Sequence, residues 1–243
     1  MDYVYYNAVE LNQNLKYNDI RRSSLYYFDE IYNLTLGQAS SNYTNNHDLI
    51  VKLSVESNSI LPEGFDYSYF SNKEIYFLKE LDKIIDEETE LNTKIQKIDL
   101  LNTKIYNSDL EDNQLARLYM TNSVAKSSLT YWEGDSADKW FSTFPVNGAP
   151  GSEINPTYPI TVAKIDWGNV AKADISAFLL AFPTGVKAGA IKGAVVLGLA
   201  SGGTGALPGA IIGALGGGAA AGVGAAVAAS SAWLAAEAIV NWW

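Results

Sequence analysis

Apolar side chains recur every seven residues along the chain between residues 71 and 107. The ladder consists of Phe77, Ile84, Leu91, Ile98 and Ile105, with Leu81 and Ile95 in the alternate seam. Ser71 and Glu74 precede it with the spacing of a capping box, which predicts a helix start. Four sustained heptads predict one long helix packed in a bundle. A coiled coil that binds a partner is the alternative to packing within the chain.

Further helices are predicted on both sides of this ladder. Residues 1–36 show helical spacing of aromatic and aliphatic positions, and a polar loop follows over 38–47. A helix with an apolar side from Leu110 to Leu129 is expected to end near Gly134. Its short connection to the ladder makes the two helices antiparallel neighbours. Residues 1–135 therefore form an N-terminal helical bundle.

Residues 136–168 have the composition of a linker. Proline and glycine are frequent there, as in Pro150-Gly151 and Asn155-Pro156. A helix is predicted to follow over Asn169–Phe182, broken by Pro183. The remaining unit, 169–243, differs from the bundle in charge and in residue size.

Glycines spaced by four residues dominate the C-terminal quarter. One set comprises Gly185, Gly189 and Gly193, and a second comprises Gly205, Gly209, Gly213 and Gly217, continued by Ala221. A parallel row contains Gly218 and Gly222. Because residues four apart lie on one face of a helix, these rows predict strips where two backbones approach closely.

The absence of charge in this quarter favours lipid as its surroundings. No charged residue occurs in the 44 positions between Lys192 and Glu237. Glycine costs about 1 kcal/mol against alanine in a helix interior, whereas lipid enforces helix because unpaired backbone groups there cost several kcal/mol. The alternative is a core of small residues in a soluble helical protein.

The expected layout is a helical hairpin. One arm covers Thr184–Ala200, residues 201–208 turn, and the second arm covers Gly209–Ala236. The second arm would be roughly 40 Å long, enough to cross a bilayer. Lipid-interface anchors are expected at Trp167, Lys187, Lys192, Trp233, Trp242 and Trp243.

The segment Pro183–Trp243 resembles the glycine-zipper hairpins of membrane-inserting bacterial proteins, including bacteriocin-like and pore-forming toxins. The resemblance rests on the Gly-x-x-x-Gly rows and implies a non-enzymatic protein whose hairpin is the active part. It implies a lipid membrane as partner and assembly of a homo-oligomer through the hairpin. The alternative function is a membrane-anchored structural or interaction protein with an acidic helical head.

Charge and residue types exclude several other classes of function. Residues 1–147 contain 23 acidic and 13 basic side chains, which argues against a nucleic-acid partner. There is no cysteine and only one histidine, His47, so neither a thiolate nor an imidazole-rich metal site is predicted. The glycines at 203–209 match no nucleotide-binding motif, so we expect no cofactor. The carboxylates of 86–90 are interpreted as solvated helix positions, and no catalytic residue is predicted.

The expected location is a membrane, with secretion implied by the resemblance. Residues 1–6 show neither a basic region nor a continuous apolar region, so no signal peptide is visible in this chain. Export by another route, prior removal of a leader and retention inside the cell are all compatible with it.

Overall fold

The computed structural model describes residues 57–64, 66–133 and 167–200, together with 222, 223, 225, 226 and 229. Within 184–200 it describes the backbone and, of the side chains, that of Val186. Four helices form this part: α1 Asn72–Asp86, α2 Leu91–Tyr106, α3 Asp112–Trp132 and α4 Trp167–Ala200. No strand occurs among these residues, which confirms the all-α prediction for them.

The predicted capping box begins α1. Ser71 Oγ accepts a hydrogen bond from the Glu74 amide at 3.2 Å, and the Ser71 amide donates to Glu74 Oε2 at 2.8 Å. Each side chain thus satisfies a backbone N–H that has no partner within the helix.

Replacing Ser71 by alanine is expected to lower the free energy of unfolding by about 1 kcal/mol, because one of these N–H groups loses its acceptor. Urea denaturation followed by circular dichroism measures the change. Ser123→Ala is the control, since the Ser123 hydroxyl is exposed and donates to a carbonyl in the middle of α3. Equal effects of the two substitutions would contradict a capping role.

The single long helix predicted from the heptads is wrong, because the chain breaks over residues 87–90. Glu87 leaves the helix with ψ of 130°, and α2 begins at Leu91. On a continuous helix Asp86 and Glu90 would face each other one turn apart, and like charges at that spacing are destabilising. In the folded chain Glu87 instead pairs with Lys97 across the connection.

Folding back places both halves of the ladder in one core. Phe77 and Leu81 of α1 and Ile98 and Ile105 of α2 are all buried there. These ladder residues therefore pack within the chain, as the bundle interpretation predicts.

Helix α3 lies antiparallel to α2, as predicted. Asn122 Nδ2 donates to Asn102 Oδ1 at 2.7 Å, and Lys126 pairs with Asp99 at the same distance. The higher the residue number in α3, the lower is that of its partner in α2. This is the register of a short-looped helical hairpin.

Helix α4 continues through Pro183, so the predicted break there is wrong. An interior proline removes one helical hydrogen bond and costs about 3 kcal/mol, but tertiary packing overrides such preferences. Phe182 just before the proline is buried, and Val186 just after it packs partly buried against the same core. Both flanking turns are thus held in place as helix.

The first half of α4 is the most enclosed part of the described chain. Every residue from Val170 to Phe182 is buried, so no face of this helix is left to solvent. Its apolar side chains join those of the three other helices in one cluster. The core therefore combines residues of the predicted bundle, 1–135, with residues of the predicted last unit, 169–243.

Several predicted features lie outside the described residues. These are the helix over 1–36, the loop over 38–47, the linker up to residue 166, and the hairpin turn over 201–208. The five described residues of the second arm are all helical: Gly222, Val223, Ala225, Ala226 and Ala229.

Candidate functional site

The enclosed half of α4 and its contacts form the candidate site. Helix α3 is its principal neighbour and α1 is a second one. At the start of α4 the ring of Trp167 stacks on Trp132 of α3, with centroids 5.7 Å apart and planes 2° from parallel. Trp132 is buried and Trp167 half-buried. Trp167, predicted as a lipid-interface anchor, thus packs against the bundle in this structure.

A lysine crosses from α4 to α1 inside the core. Lys172 is buried, and its ammonium pairs with Asp86 and lies 3.8 Å from Asp82 Oδ1. It also donates to the carbonyl oxygen of Asn58 at 2.8 Å. Two carboxylates one turn apart on α1 therefore hold the only lysine on the enclosed half of α4.

The segment 57–61 closes over this ion pair. Asp82 accepts hydrogen bonds from Ser59 Oγ at 2.7 Å and from the Ile60 amide at 3.1 Å. Ile60 is fully buried. Nearby, burial and the charge of Asp82 raise the pKa of Tyr67, whose hydroxyl stays protonated and donates to the Pro62 carbonyl at 2.9 Å.

A second polar contact joins α4 to α3. Ser128 Oγ donates to Asp174 Oδ2 at 2.5 Å, and both side chains are buried. Burying a charged group costs much free energy unless the group is paired or hydrogen-bonded. Lys172 and Asp174 therefore fix both the rotation of α4 and its position along its axis.

Gly222 lies against an aromatic ring of α4. A Cβ atom placed on it would lie 2.6 Å from Cε2 of Phe178 and closer still to Cδ2. Gly222 is buried, and Phe178 also packs on Phe182 with ring centroids 5.5 Å apart. The absence of a side chain at this position allows the backbone of residue 222 to approach the ring.

The other predicted site residues divide into two groups. Gly185, Gly189, Gly193, Lys187 and Lys192 lie on α4, in the arm predicted as helical. The remaining ones lie outside the described residues: Gly205, Gly209, Gly213, Gly217, Gly218, Trp233, Trp242 and Trp243.

Sequence reasoning missed the polar residues of the enclosed helix. Lys172 and Asp174 stand two positions apart in an otherwise uncharged run from Gly168 to Val186. Such a pair within an apolar helix signals buried partners elsewhere in the chain. The sequence gives no indication of which residues those partners are.

An open groove lies between the α1–α2 connection and the C-terminal end of α3. Glu87, Glu88, Glu90 and Glu133 line it, with Lys94 paired to Glu133 at 3.2 Å. Within the described ranges, no three carboxylate or imidazole groups are arranged to hold a metal ion.

No helix among the residues that the structure describes is both long and apolar enough to cross a membrane. Comparison of the chain with protein-family models, with curated proteins and with solved structures finds no match.

Proposed function

We propose that the protein is a non-enzymatic membrane-inserting protein of bacteriocin-like or pore-forming type. Its hairpin, residues 183–243, is the active part, and the bundle of α1–α3 encloses the helix that leads into it. Insertion transfers the apolar C-terminal quarter into lipid.

The observation that carries the proposal is the burial of the first half of α4, residues 170–182, on every face. A helix that is apolar all round is stable inside a core or inside a membrane, but not at a protein surface. From Val170 to Phe182 it occupies a core, and the same helix runs on without a break to Ala200. Any withdrawal of the hairpin from the bundle therefore pulls on an enclosed helix.

The second arm is the segment that spans the bilayer under this proposal. Helix α4 carries four charged side chains, whereas the second arm, Gly209–Ala236, carries none. Its glycine rows supply the close helix packing that replaces hydrophobic association in lipid. The tight approach of Gly222 to Phe178 supports a packing role for these glycines.

Dye release from vesicles tests the proposal. The intact protein is added to vesicles of phosphatidylcholine, with and without phosphatidylglycerol, and bound protein and released dye are both measured. Gly213→Leu/Gly217→Leu is compared with the parent. Leucine raises apolar content and helix propensity, so binding is expected to be kept or strengthened. Release is expected to fall strongly, because side chains on the row separate the packed helices.

A control places leucine on another face of the same arm. Ala219→Leu/Val223→Leu changes Val223, which is 39% exposed, and the position four residues before it in the arm predicted as helical. This variant is expected to bind and release like the parent. Binding without release by the parent would support the alternative, a membrane-anchored interaction protein, and would overturn the lytic function. Absence of binding would overturn both.

A further inference from the structure

We propose that Lys172, held by Asp82 and Asp86, is a latch that keeps α4 in the bundle and opposes membrane insertion. The proposal rests on the proposed function and adds its regulation. One ion pair between α4 and α1 thus holds the protein in the state that precedes insertion.

The geometry of the contact is that of a clamp rather than of a surface ion pair. The side chain of Lys172 is 3% exposed, whereas those of Asp82 and Asp86 are 19% and 59% exposed. The cation therefore depends on these two carboxylates and on the Asn58 carbonyl for its stabilisation. The carboxylates, at the edge of the core, keep access to water when the cation leaves.

This asymmetry makes the latch directional. When α4 moves out of the bundle, α1 returns two carboxylates to water at little cost. Lys172 must separate from both carboxylates, although it lies in the part of α4 with no exposed face. Separating a buried charge from its partners is strongly unfavourable. The ion pair thus opposes the first movement of the helix, before any lipid contact forms.

The Asp174–Ser128 contact does not serve as the same device. It joins α4 to α3 through a hydrogen bond with a neutral hydroxyl. The opposite charges from which movement of α4 must separate Lys172 lie on α1.

Charge reversal at Asp86 tests the latch. Asp86→Lys places a cation beside buried Lys172, so α4 is expected to leave the bundle more readily. Hydrogen exchange of the backbone amides of 170–182 is expected to speed up by at least about tenfold, given the cost of an uncompensated buried charge. The initial rate of dye release from phosphatidylcholine vesicles is expected to rise by a similar factor.

Two further variants separate the latch from general effects of charge. Asp109→Lys makes the same change in net charge at an 84% exposed side chain that pairs with Lys73, at the opposite end of α1 from Lys172. It is expected to leave exchange and release close to those of the parent. Lys172→Met in the Asp86→Lys background removes the repelled cation, and is expected to bring both rates back towards parental values.

The outcomes distinguish the latch from the function on which it rests. Equal effects of Asp86→Lys and Asp109→Lys, or no rescue by Lys172→Met, would overturn the latch while leaving dye release by the parent intact. If Asp86→Lys unfolds the whole bundle, hydrogen exchange also rises across α2 and α3. In that case Asp86→Asn, a milder change, replaces it, and its failure to speed exchange selectively in α4 would overturn the latch. Faster exchange in α4 with no dye release by any variant would overturn the proposed function, and with it the regulatory role.

Discussion

Replacing Arg117 by methionine is expected to lower the free energy of unfolding by about 3–5 kcal/mol, the cost of leaving a buried charge without its partner. The guanidinium of Arg117 contacts Glu74 Oε1 through Nε at 2.8 Å and Nη2 at 2.7 Å. Glu74 is fully buried, and the guanidinium also lies 4.8 Å from the ring centroid of Tyr69. Methionine keeps the apolar part of the side chain, so the loss reports the charge. Urea denaturation of the full chain measures it.

A double substitution tests whether the effect comes from the pair. Glu74→Gln/Arg117→Met removes both charges and keeps a side chain that can complete the capping box. It is expected to recover a large share of the lost stability. Lys126→Met breaks an exposed pair with Asp99 and is expected to change the free energy by less than about 1 kcal/mol. Equal losses from Lys126→Met and Arg117→Met would refute the assignment of a buried, stabilising pair.

Local patterns in the sequence predicted the helical elements well but not where they break. The capping box at Ser71 and the apolar side of α3 depend on neighbouring residues, so they are visible in the sequence. A heptad ladder reports which face is apolar and is the same for one long helix and for two that fold back. The break at 87–90 follows from repulsion among carboxylates and from the Glu87–Lys97 pair. The Glu87–Lys97 pair is visible only in the tertiary fold.

The path of α4 through Pro183 shows the same limit. Proline strongly disfavours the interior of a helix, so the sequence predicts a helix end at Phe182. The packing of Phe182 and Val186 on either side outweighs that preference. This packing involves residues about a hundred positions earlier in the chain, so no window of sequence around Pro183 contains it.

The glycine rows were expected to allow close helix packing within the hairpin. Of these glycines, Gly222 lies close to an aromatic ring in the part of the chain that the structure describes. That ring belongs to Phe178, which precedes the predicted first arm, Thr184–Ala200. Spacing identifies the face of a helix that can approach another, but not the residue that it meets. The pairing of Lys172 with Asp82 and Asp86 is likewise set by the fold.

Replacing Gly222 by alanine is expected to lower the free energy of unfolding by about 1–3 kcal/mol, the usual cost of overpacking a core. In an unconstrained helix the same substitution would raise it by about 1 kcal/mol. The sign is reversed here because the new methyl group would overlap the ring of Phe178, which is 1% exposed and packed against Phe182. A buried ring with such neighbours has no room to move aside. The measurement is again urea denaturation of the full chain.

Two further variants test whether the cost of Gly222→Ala comes from contact with the ring of Phe178. Phe178→Ala removes the ring atoms that the methyl group would meet, so in its background Gly222→Ala is expected to cost less or to stabilise. Gly216 stands seven positions before exposed Val223 in the arm predicted as helical, so Gly216→Ala is expected to stabilise by up to about 1 kcal/mol through helix propensity alone. Close approach at residue 222 therefore requires opposite signs for two glycine-to-alanine changes six residues apart in the predicted second arm. Stabilisation by both, with no dependence on residue 178, would show that glycine at 222 is not needed for packing on α4.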